Sequence, residues 1–326
     1  MAPLSPAPSP IASDREGTPL AYGVLGAIFH LDAMISEDEA SLAAVNDLIW
    51  DWFGGELRWT YKTFDDEITP ARRDDMDYIA SRPSNLVMSK PVRPDDFYGP
   101  LFSQFSATDF EVAFTAGTVP QAASPFSYHF WSEIPAPSAG DLRALSIIHI
   151  TVPESWPLDD FRRRVCEIAA QLRLRWGAAG LTYSTWTVAG DRECSKRVAA
   201  HAKRFIGYDI GEYIRLVGPF FERVRTVSWL TFLGRDLAAE LRTSRGPIVA
   251  TPPLELFSAG ESLVIQAGAA PTAGDSNRLT YPAAYVEADS LIRPIRADSG
   301  QDMVFLGPWD EAAITSWLRR YERHLH

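Results

Sequence analysis

The chain alternates between strand-like apolar runs and helix-like amphipathic segments. The first such unit begins with an apolar run over residues 21–33, which predicts a buried strand. Ser36 and Glu39 have the spacing of a capping box, so a helix is expected to follow the strand. The glycine pair at 54–55 is expected to end this helix, and residues 56–64 have strand-like composition. The apolar positions that share one face of the predicted helix are Leu42, Val45, Ile49, Trp52 and Phe53.

The same order of patterns returns later in the chain. Residues 142–152 form a second strand-like apolar run, and Pro157 suits the first turn of the helix that follows it. Gly177 and Gly180 are expected to end this helix before a strand over residues 181–188. The buried face of the second predicted helix contains Phe161, Val165, Ile168, Leu172 and Trp176.

Together these patterns predict an α+β fold with mixed or antiparallel sheets and packed helices. A single domain is expected over residues 21–326. The two similar units suggest that it consists of tandem related α+β halves, 21–135 and 143–326. The competing explanation is chance similarity of amphipathic segments. The Pro-, Ser- and Ala-rich residues 1–20 are expected to be a disordered arm. The end of the chain predicts a helix that docks through Trp309, Ala313, Trp317 and Tyr321.

Charge and composition narrow the partners that the protein is expected to have. The 326-residue chain is 46% hydrophobic, which is enough for a sizeable core, and its formal net charge is −11. Such a charge disfavours direct binding to nucleic acid or to an anionic membrane, and favours either solubility or a basic partner. The two cysteines imply no disulfide framework. The low cysteine content suits a reducing cytoplasm, where the protein is expected to be located. We find no apolar run of membrane-spanning length and no signal-peptide pattern.

The titratable residues show no catalytic or metal-binding pattern. The six histidines lack a metal-ligand spacing such as H-E-x-x-H, and His30 and His149 lie inside apolar runs, where hydrogen-bonded core histidines are expected. Cys166 lies on a predicted helix and is expected to be inert. Cys194 is surrounded by basic residues, which favour a thiolate, but no partner histidine is identifiable. A nucleophilic role for Cys194 stays open, but the residues give no support for a catalytic constellation or a metal site.

The loop 263–282, LVIQAGAAPTAGDSNRLTYP, is rich in glycine and proline, as phosphate-binding loops are. A P-loop requires Lys and then Ser or Thr after its last glycine, whereas Gly274 is followed by Asp275, which would repel a phosphate. Pro271 fixes φ, Gly274 accepts a positive φ, and Asp275 and Asn277 can hydrogen-bond to nearby backbone amides. The loop is therefore expected to turn the chain rather than to bind a ligand.

Three acidic clusters lie within the segment 64–98, mixed with basic residues. One interpretation is a long solvated connection between elements. The other is a binding surface, in which carboxylates approach a basic partner and two aromatic side chains anchor it. On the second interpretation, the partner-binding residues are Asp65, Asp66, Glu67, Asp74, Asp75, Asp77, Asp95, Asp96, Phe97 and Tyr98.

Three stretches of the second half carry a resemblance to a known family: 224–234 (VRTVSWLTFLG), 263–277 (LVIQAGAAPTAGDSN) and 281–296 (YPAAYVEADSLIRPIR). They resemble a bacterial family associated with immunity to type VI secretion effectors, notably effectors with VRR-Nuc nuclease domains. The resemblance extends over about residues 20–325. It implies a cytoplasmic protein that binds one toxin and blocks it, with no catalysis and no cofactor. The residues that match, and that are expected to be structural, are Trp229, Gly234, Gln266, Gly268, Pro271, Gly274, Asp275, Asn277 and Tyr285.

The acidic clusters then suggest how such a toxin is blocked: carboxylates and aromatic groups of the 64–98 segment would cover its active or DNA-binding surface. Two other classes of function stay open at this point. A small-molecule enzyme without a recognisable motif would contain a deep pocket with converging polar groups. An adaptor of the secretion machinery would self-assemble or bind several partners. Neither the identity of the toxin nor self-association follows from the sequence.

Overall fold

The computed structural model describes ten stretches of the chain, within which seven α-helices and two sheets are present. These stretches are residues 9–32, 39–62, 67–80, 106–135, 146–185, 192–210, 214–216, 223–298, 303–305 and 309–322. Ser36 of the predicted capping box lies outside them.

Strands dominate the architecture. In chain order they are β1 (Ala12–Ser13), β2 (Pro19–Leu31), β3 (Trp59–Lys62), β4 (Glu67–Pro70), β5 (Ser106–Thr115), β6 (Ser127–Pro135), β7 (Ser146–Pro153), β8 (Leu174–Thr185), β9 (Ile214–Leu216), β10 (Leu230–Leu233), β11 (Leu254–Ala259), β12 (Ser262–Ala267) and β13 (Met303–Phe305). Eleven of them form one sheet in the order β11-β12-β10-β8-β2-β7-β6-β5-β3-β4, with β1 paired to β2, and β9 pairs with β13. All these strand pairs are antiparallel. The predicted α+β fold is confirmed.

Seven α-helices accompany the sheets in the described stretches. They are α1 (Glu39–Phe53), α2 (Arg73–Ala80), α3 (Leu158–Gln171), α4 (Arg192–Arg204), α5 (Arg235–Arg245), α6 (Ala283–Ile292) and α7 (Glu311–Leu318). In the parts of the chain that the structure describes, no helix combines the length and the apolar character needed to cross a membrane.

One face of the large sheet is covered by α1 and α3. At one side of this face the Tyr128 hydroxyl donates a hydrogen bond to Asn46 on α1, at 2.8 Å. At the other side Arg162 on α3 donates to the side-chain oxygen of Gln266, at 2.9 Å. Residues that pair directly across antiparallel strands point to the same face of a sheet. Tyr128 and Gln266 are the two ends of a row of such pairs that crosses six adjacent strands, so both lie on this face. The row is Tyr128, Ile150, Ala27, Ala179, Leu230 and Gln266.

The apolar stripe predicted for the first helix is confirmed in α1. The ring of Trp52 lies 6.1 Å from the ring of Phe161 on α3 and 6.2 Å from that of Trp156, so the two helices share one aromatic cluster. Burying a side chain of this size stabilises the fold by about 2 kcal/mol. The buried positions of the stripe are Leu42, Val45, Ile49, Trp52 and Phe53.

The predicted end of the second helix is wrong. Helix α3 ends at Gln171, and Trp176, Gly177 and Gly180 lie within strand β8. A Cβ atom on Gly177 would lie 2.7 Å from the ring of Phe29, so glycine lets β2 and β8 pack closely at the centre of the sheet. A Cβ atom on Gly180 would lie 2.4 Å from the Ser228 hydroxyl, so both glycines lie where neighbouring groups leave no room for a side chain, not at a helix end.

The two proposed halves share one sheet. Strand β2, from the first half, lies between β7 and β8, which belong to the second half. Outward from this centre, the first half continues β6-β5-β3-β4 and the second continues β8-β10-β12-β11. The strands of the first half run mostly against chain order, and those of the second half run mostly along it. The tandem relationship of the halves stays a prediction.

Residues 9–20 are part of the fold, contrary to the expected disordered arm over residues 1–20. Ile11 donates a backbone hydrogen bond to the carbonyl oxygen of Ala21 at 2.8 Å, and Ala12 is buried. Ile11 and Ala12 can pack on the fold because strand β2 supplies hydrogen-bond partners for the backbone of this segment. Residues 1–8 lie outside the described stretches.

The helix predicted at the end of the chain is confirmed as α7. Asp310 caps it, because its carboxylate accepts a hydrogen bond from the Ala313 N–H at 2.7 Å. Trp309, Trp317 and Tyr321 are buried, so the helix docks through the face that the sequence indicates.

Candidate partner-binding surface

An acidic surface is formed by α1 and α2, which pack against each other. The two helices contain six carboxylates and one basic side chain, Arg73. Arg73 donates to Asp77 at 2.6 Å and also to Asp47, and so links the two helices. Five of the six carboxylates are exposed, and we define the acidic face as four of them, Asp47, Asp51, Asp74 and Asp77, leaving out Glu39 at the start of α1.

Asp75 has a different environment from its neighbours. It is buried, and its carboxylate lies 2.6 Å from the ammonium of Lys62 on β3. The same carboxylate accepts a hydrogen bond from the Arg72 N–H at 2.8 Å, which satisfies a free amide at the start of α2. Asp75 therefore holds α2 against the sheet, and its carboxylate is occupied within the fold.

The remaining predicted partner-binding residues are only partly located. Glu67 begins β4, but its side chain is not described. Within the segment 64–98, the residues 67–70 and 73–80 form β4 and α2, so this part of the chain is not a simple solvated connection. The residues that lie outside the described stretches are Asp65, Asp66, Asp95, Asp96, Phe97 and Tyr98.

The first part of the glycine-rich loop is fixed by side chains from the sheet. Gly268 has a positive φ of 83°, and its carbonyl oxygen accepts hydrogen bonds from the Trp229 indole at 3.0 Å and from the Gln266 amide at 3.1 Å. A Cβ atom on Gly234 would lie 1.8 Å from the carbonyl oxygen of Leu174, so only glycine fits there. All four of these motif residues make close contacts within the fold.

The second part of the loop is organised around Asp275. Gly274 has a positive φ of 64°, as the turn requires. The Asp275 carboxylate accepts hydrogen bonds from the Asn277 N–H at 3.0 Å and from Arg204 at 2.9 Å. The Arg204 guanidinium is the main cause of the lowered pKa of Asp275. The carboxylate of Asp275 is thus used to hold the loop together.

The loop ends against α6. The Thr272 N–H donates a hydrogen bond to the Tyr285 hydroxyl at 3.3 Å, and Tyr285 is buried. Burial raises the pKa of Tyr285 above its ordinary value. Pro271 is half-buried beside this contact.

A set of buried ion pairs lies in the second half of the chain, where the sequence shows no signal for it. Arg225 is buried against Asp209, with 2.7 Å between nitrogen and oxygen. Arg296 contacts the carboxylates of Asp289 and Glu322, and burial raises the pKa of Asp289 in spite of this partner. Burial of these charges is tolerated because each carboxylate faces a guanidinium.

The histidines and cysteines have structural environments. The ring of His30 stacks on Trp176 with 4.0 Å between centroids, and burial lowers the pKa of this histidine well below 6.5. Cys194 is buried, with its sulfur 3.6 Å from the carbonyl oxygen of Leu20, and burial raises the pKa of Cys166 to about 11. Across the described stretches, no cluster of three or more His, Cys, Asp or Glu side chains is suited to a metal ion.

A cavity of about 370 Å³ lies between α4, α7 and the glycine-rich loop. Its charged lining residues in the described stretches are Lys203 and Arg320. Arg320 donates to the carbonyl oxygen of Ile206 at 2.8 Å and to the Thr226 hydroxyl at 2.6 Å, so its guanidinium is used by the fold. The described lining contains no carboxylate, histidine or cysteine, and this cavity supports no catalytic assignment.

Comparisons with known proteins agree with the resemblance seen in the sequence. The structure of the Pseudomonas aeruginosa T6SS protein PA0821 is similar to this one, with a TM-score of 0.69 and 20% sequence identity, over 94% of this chain and 86% of that chain. At this identity the likeness concerns the fold. No curated protein matches the chain. A family model described as "TsiV: Type VI immunity for VRR-NUC" matches residues 61–321. The chain therefore belongs to the TsiV family of type VI immunity proteins.

Proposed function

We propose that this protein binds a cognate type VI effector and neutralises it stoichiometrically, by covering the active or DNA-binding surface of a nuclease. On this proposal it acts in the cytoplasm of the cell that makes it, and it performs no catalysis and uses no cofactor. The observation that carries the proposal is the family match over residues 61–321, whose description combines immunity with VRR-NUC.

The charge of the molecule supports this kind of partner. A nuclease holds a polyanion, so its binding groove carries basic side chains. The net charge of −11 attracts such a groove at long range, and at low salt this steering raises association rates to about 10⁸ M⁻¹s⁻¹. The acidic face offers carboxylates that are exposed and already ordered on two helices, so little conformational entropy is lost on binding.

The placement of the side chains refines which of them we propose as contacts. Asp74 and Asp77 are exposed, whereas Asp75 is buried and paired with Lys62, so we assign Asp75 to the fold. Asp47 and Asp51 of α1 extend the surface beyond the 64–98 segment. The other contacts proposed from the sequence are Asp65, Asp66, Glu67, Asp95, Asp96, Phe97 and Tyr98.

Co-production with the effector encoded beside this protein's gene tests the proposal. We expect the effector alone to stop growth, and we expect this protein to restore growth and to co-purify with it in equal amounts. The acidic-face variant Asp74→Lys/Asp77→Lys should co-purify less well. A variant with matched changes elsewhere, Glu255→Lys/Glu287→Lys, should behave as the wild type, since both residues are exposed and lie outside the acidic face. Growth arrest that persists with the soluble wild-type protein present would contradict the proposal.

A further inference from the structure

The turn 277–280, within the glycine-rich loop, presents an exposed leucine in an unfavourable backbone conformation. Leu279 is 75% exposed and has a φ of +55°, in the left-handed region. It is the only residue other than glycine with a positive φ in the described stretches. Leucine is disfavoured in this region, where glycine or asparagine is readily accommodated. Its side chain therefore adds little to the fold at a position where other residues would fit the backbone better.

The turn is held rigidly on the end of α4. The backbone of Asp275 pairs with that of Thr280, with N–O distances of 2.8 and 3.0 Å. The Ser276 hydroxyl donates to the carbonyl oxygen of Lys203 at 3.0 Å, and the Gly207 N–H donates to that of Ala273 at 2.8 Å. A strained residue persists where the surrounding structure fixes it, as it does here, and such residues concentrate at binding and catalytic sites.

The charge around this turn is opposite to that of the protein as a whole. The Arg278 side chain is 78% exposed, with its Nε 3.7 Å from the Asp275 carboxylate. The Arg204 side chain, which also contacts Asp275, is 43% exposed. Lys203 is also exposed beside them. The leucine thus protrudes from a small cationic surface on a chain of net charge −11, and this surface is distinct from the acidic face on α1 and α2.

We propose that the turn 277–280 is a second contact with the effector, in which Leu279 enters a shallow apolar depression and Arg278 pairs with a carboxylate at its rim. This inference rests on the proposed function, because the effector is the partner it names. Acidic positions are expected on a nuclease that uses divalent cations, since carboxylates hold those ions. A rigid apolar side chain is a suitable anchor, because little entropy is lost when it is buried.

The variant Leu279→Asn tests the anchor without loss of folding. Asparagine tolerates the left-handed region, so urea unfolding should show a stability equal to the wild type or higher. Removal of the apolar side chain should raise the Kd for the effector about tenfold or more, mainly through a faster dissociation rate. The matched control is Val249→Asn, at another apolar residue that is 73% exposed, and we expect its Kd to be unchanged.

The variant Arg278→Gln tests the charge of the partner surface. We expect a Kd raised by about threefold to tenfold at low salt, with a smaller effect at high salt, because exposed ion pairs are screened. A Kd lowered by this change would overturn the assignment of a carboxylate to the partner.

The outcomes separate this inference from the proposed function. If the wild-type protein binds the effector and Leu279→Asn binds equally well, the second contact is wrong and the proposed function stands. If the wild-type protein fails to bind the effector, both fall together. If Leu279→Asn and Val249→Asn weaken binding equally, the effect is not specific to the turn and the inference is overturned.

Discussion

One nitrogen of the Arg225 guanidinium donates hydrogen bonds to both carboxylate oxygens of Asp209, at 2.7 and 3.0 Å. Both side chains are buried, and the guanidinium lies 5.6 Å from the centre of the Trp176 ring. Burial lowers the pKa of Arg225, while Asp209 acts in the opposite direction. The backbone of Asp209 also donates to the carbonyl oxygen of Leu181 at 2.9 Å, so the pair is attached to the central strand β8.

Loss of Asp209 should therefore leave a buried charge without its partner. We expect Asp209→Ala to lower the free energy of unfolding by about 3–5 kcal/mol, and the double variant Asp209→Ala/Arg225→Met to recover part of this loss. Urea denaturation measures the free energy of unfolding of both variants. The control is Glu261→Ala, which breaks the exposed pair of Glu261 with Arg235 and should cost about 0.5 kcal/mol at most. Equal losses in the two single variants would contradict this view of the buried pair.

Asp75 should affect stability more than association. Asp75→Ala removes the partner of Lys62 and the acceptor at the start of α2, and we expect a loss of about 2 kcal/mol in the free energy of unfolding. Chemical denaturation measures this free energy of unfolding. The folded variant should associate with the effector at the wild-type rate. Asp74→Ala, one residue earlier and exposed, should lose almost no stability. A stable Asp75→Ala variant with slow association would place Asp75 in the interface instead.

The acidic face should control the rate of association. We expect Asp74→Lys/Asp77→Lys to lower kon for the effector about tenfold at low salt, because reversal of two exposed charges weakens the attraction. Stopped-flow or surface-based kinetics at several salt concentrations measures the effect, which should shrink as salt rises. The exposed pair Glu255→Lys/Glu287→Lys makes the same change in net charge elsewhere on the surface. If both double variants slow association equally, net charge alone acts and the acidic face has no special role.

His201 should make the fold less stable in mild acid. Its Nδ1 lies 2.9 Å from the Tyr183 hydroxyl, and burial, with Arg204 nearby, lowers its pKa below 6.5. The unfolded chain therefore binds a proton at a higher pH than the folded protein does, so stability falls as the pH drops below 6.5, until the folded-state pKa is passed. We expect the free energy of unfolding of His201→Gln to depend less on pH between about pH 7.5 and about pH 5.5. An unchanged pH dependence would contradict this role.

Local patterns of the chain were sufficient for several elements. The stripe on α1 and the docking face of α7 follow from apolar spacing, because a helix buries one face wherever it packs. Gly177 and Gly180 are predicted to end a helix but lie within β8, since glycine ends helices and also permits close packing within a sheet. The groups that crowd these glycines, Phe29 beside Gly177 and Ser228 beside Gly180, are remote in sequence, so no local pattern distinguishes the two roles.

The site was predictable to a smaller extent. Acidic clusters in the sequence predict a charged surface, but they do not show which carboxylates are exposed. Asp74 and Asp75 are adjacent, yet Asp74 is exposed and Asp75 is buried, because only Asp75 faces Lys62. The strand order, and with it the interleaving of β2 between β7 and β8, depends on long-range pairing that no local pattern encodes. The left-handed conformation of Leu279 was likewise unexpected, since leucine has no preference for it.

A titration of nuclease activity tests the central claim most directly. Purified effector, encoded beside this protein's gene, is held at a fixed concentration well above the Kd, and DNA cleavage is measured as this protein is added. Stoichiometric neutralisation predicts a linear fall in cleavage that reaches zero at one equivalent. Tight binding with cleavage intact at one equivalent would contradict occlusion, and absence of binding would contradict the proposed partner.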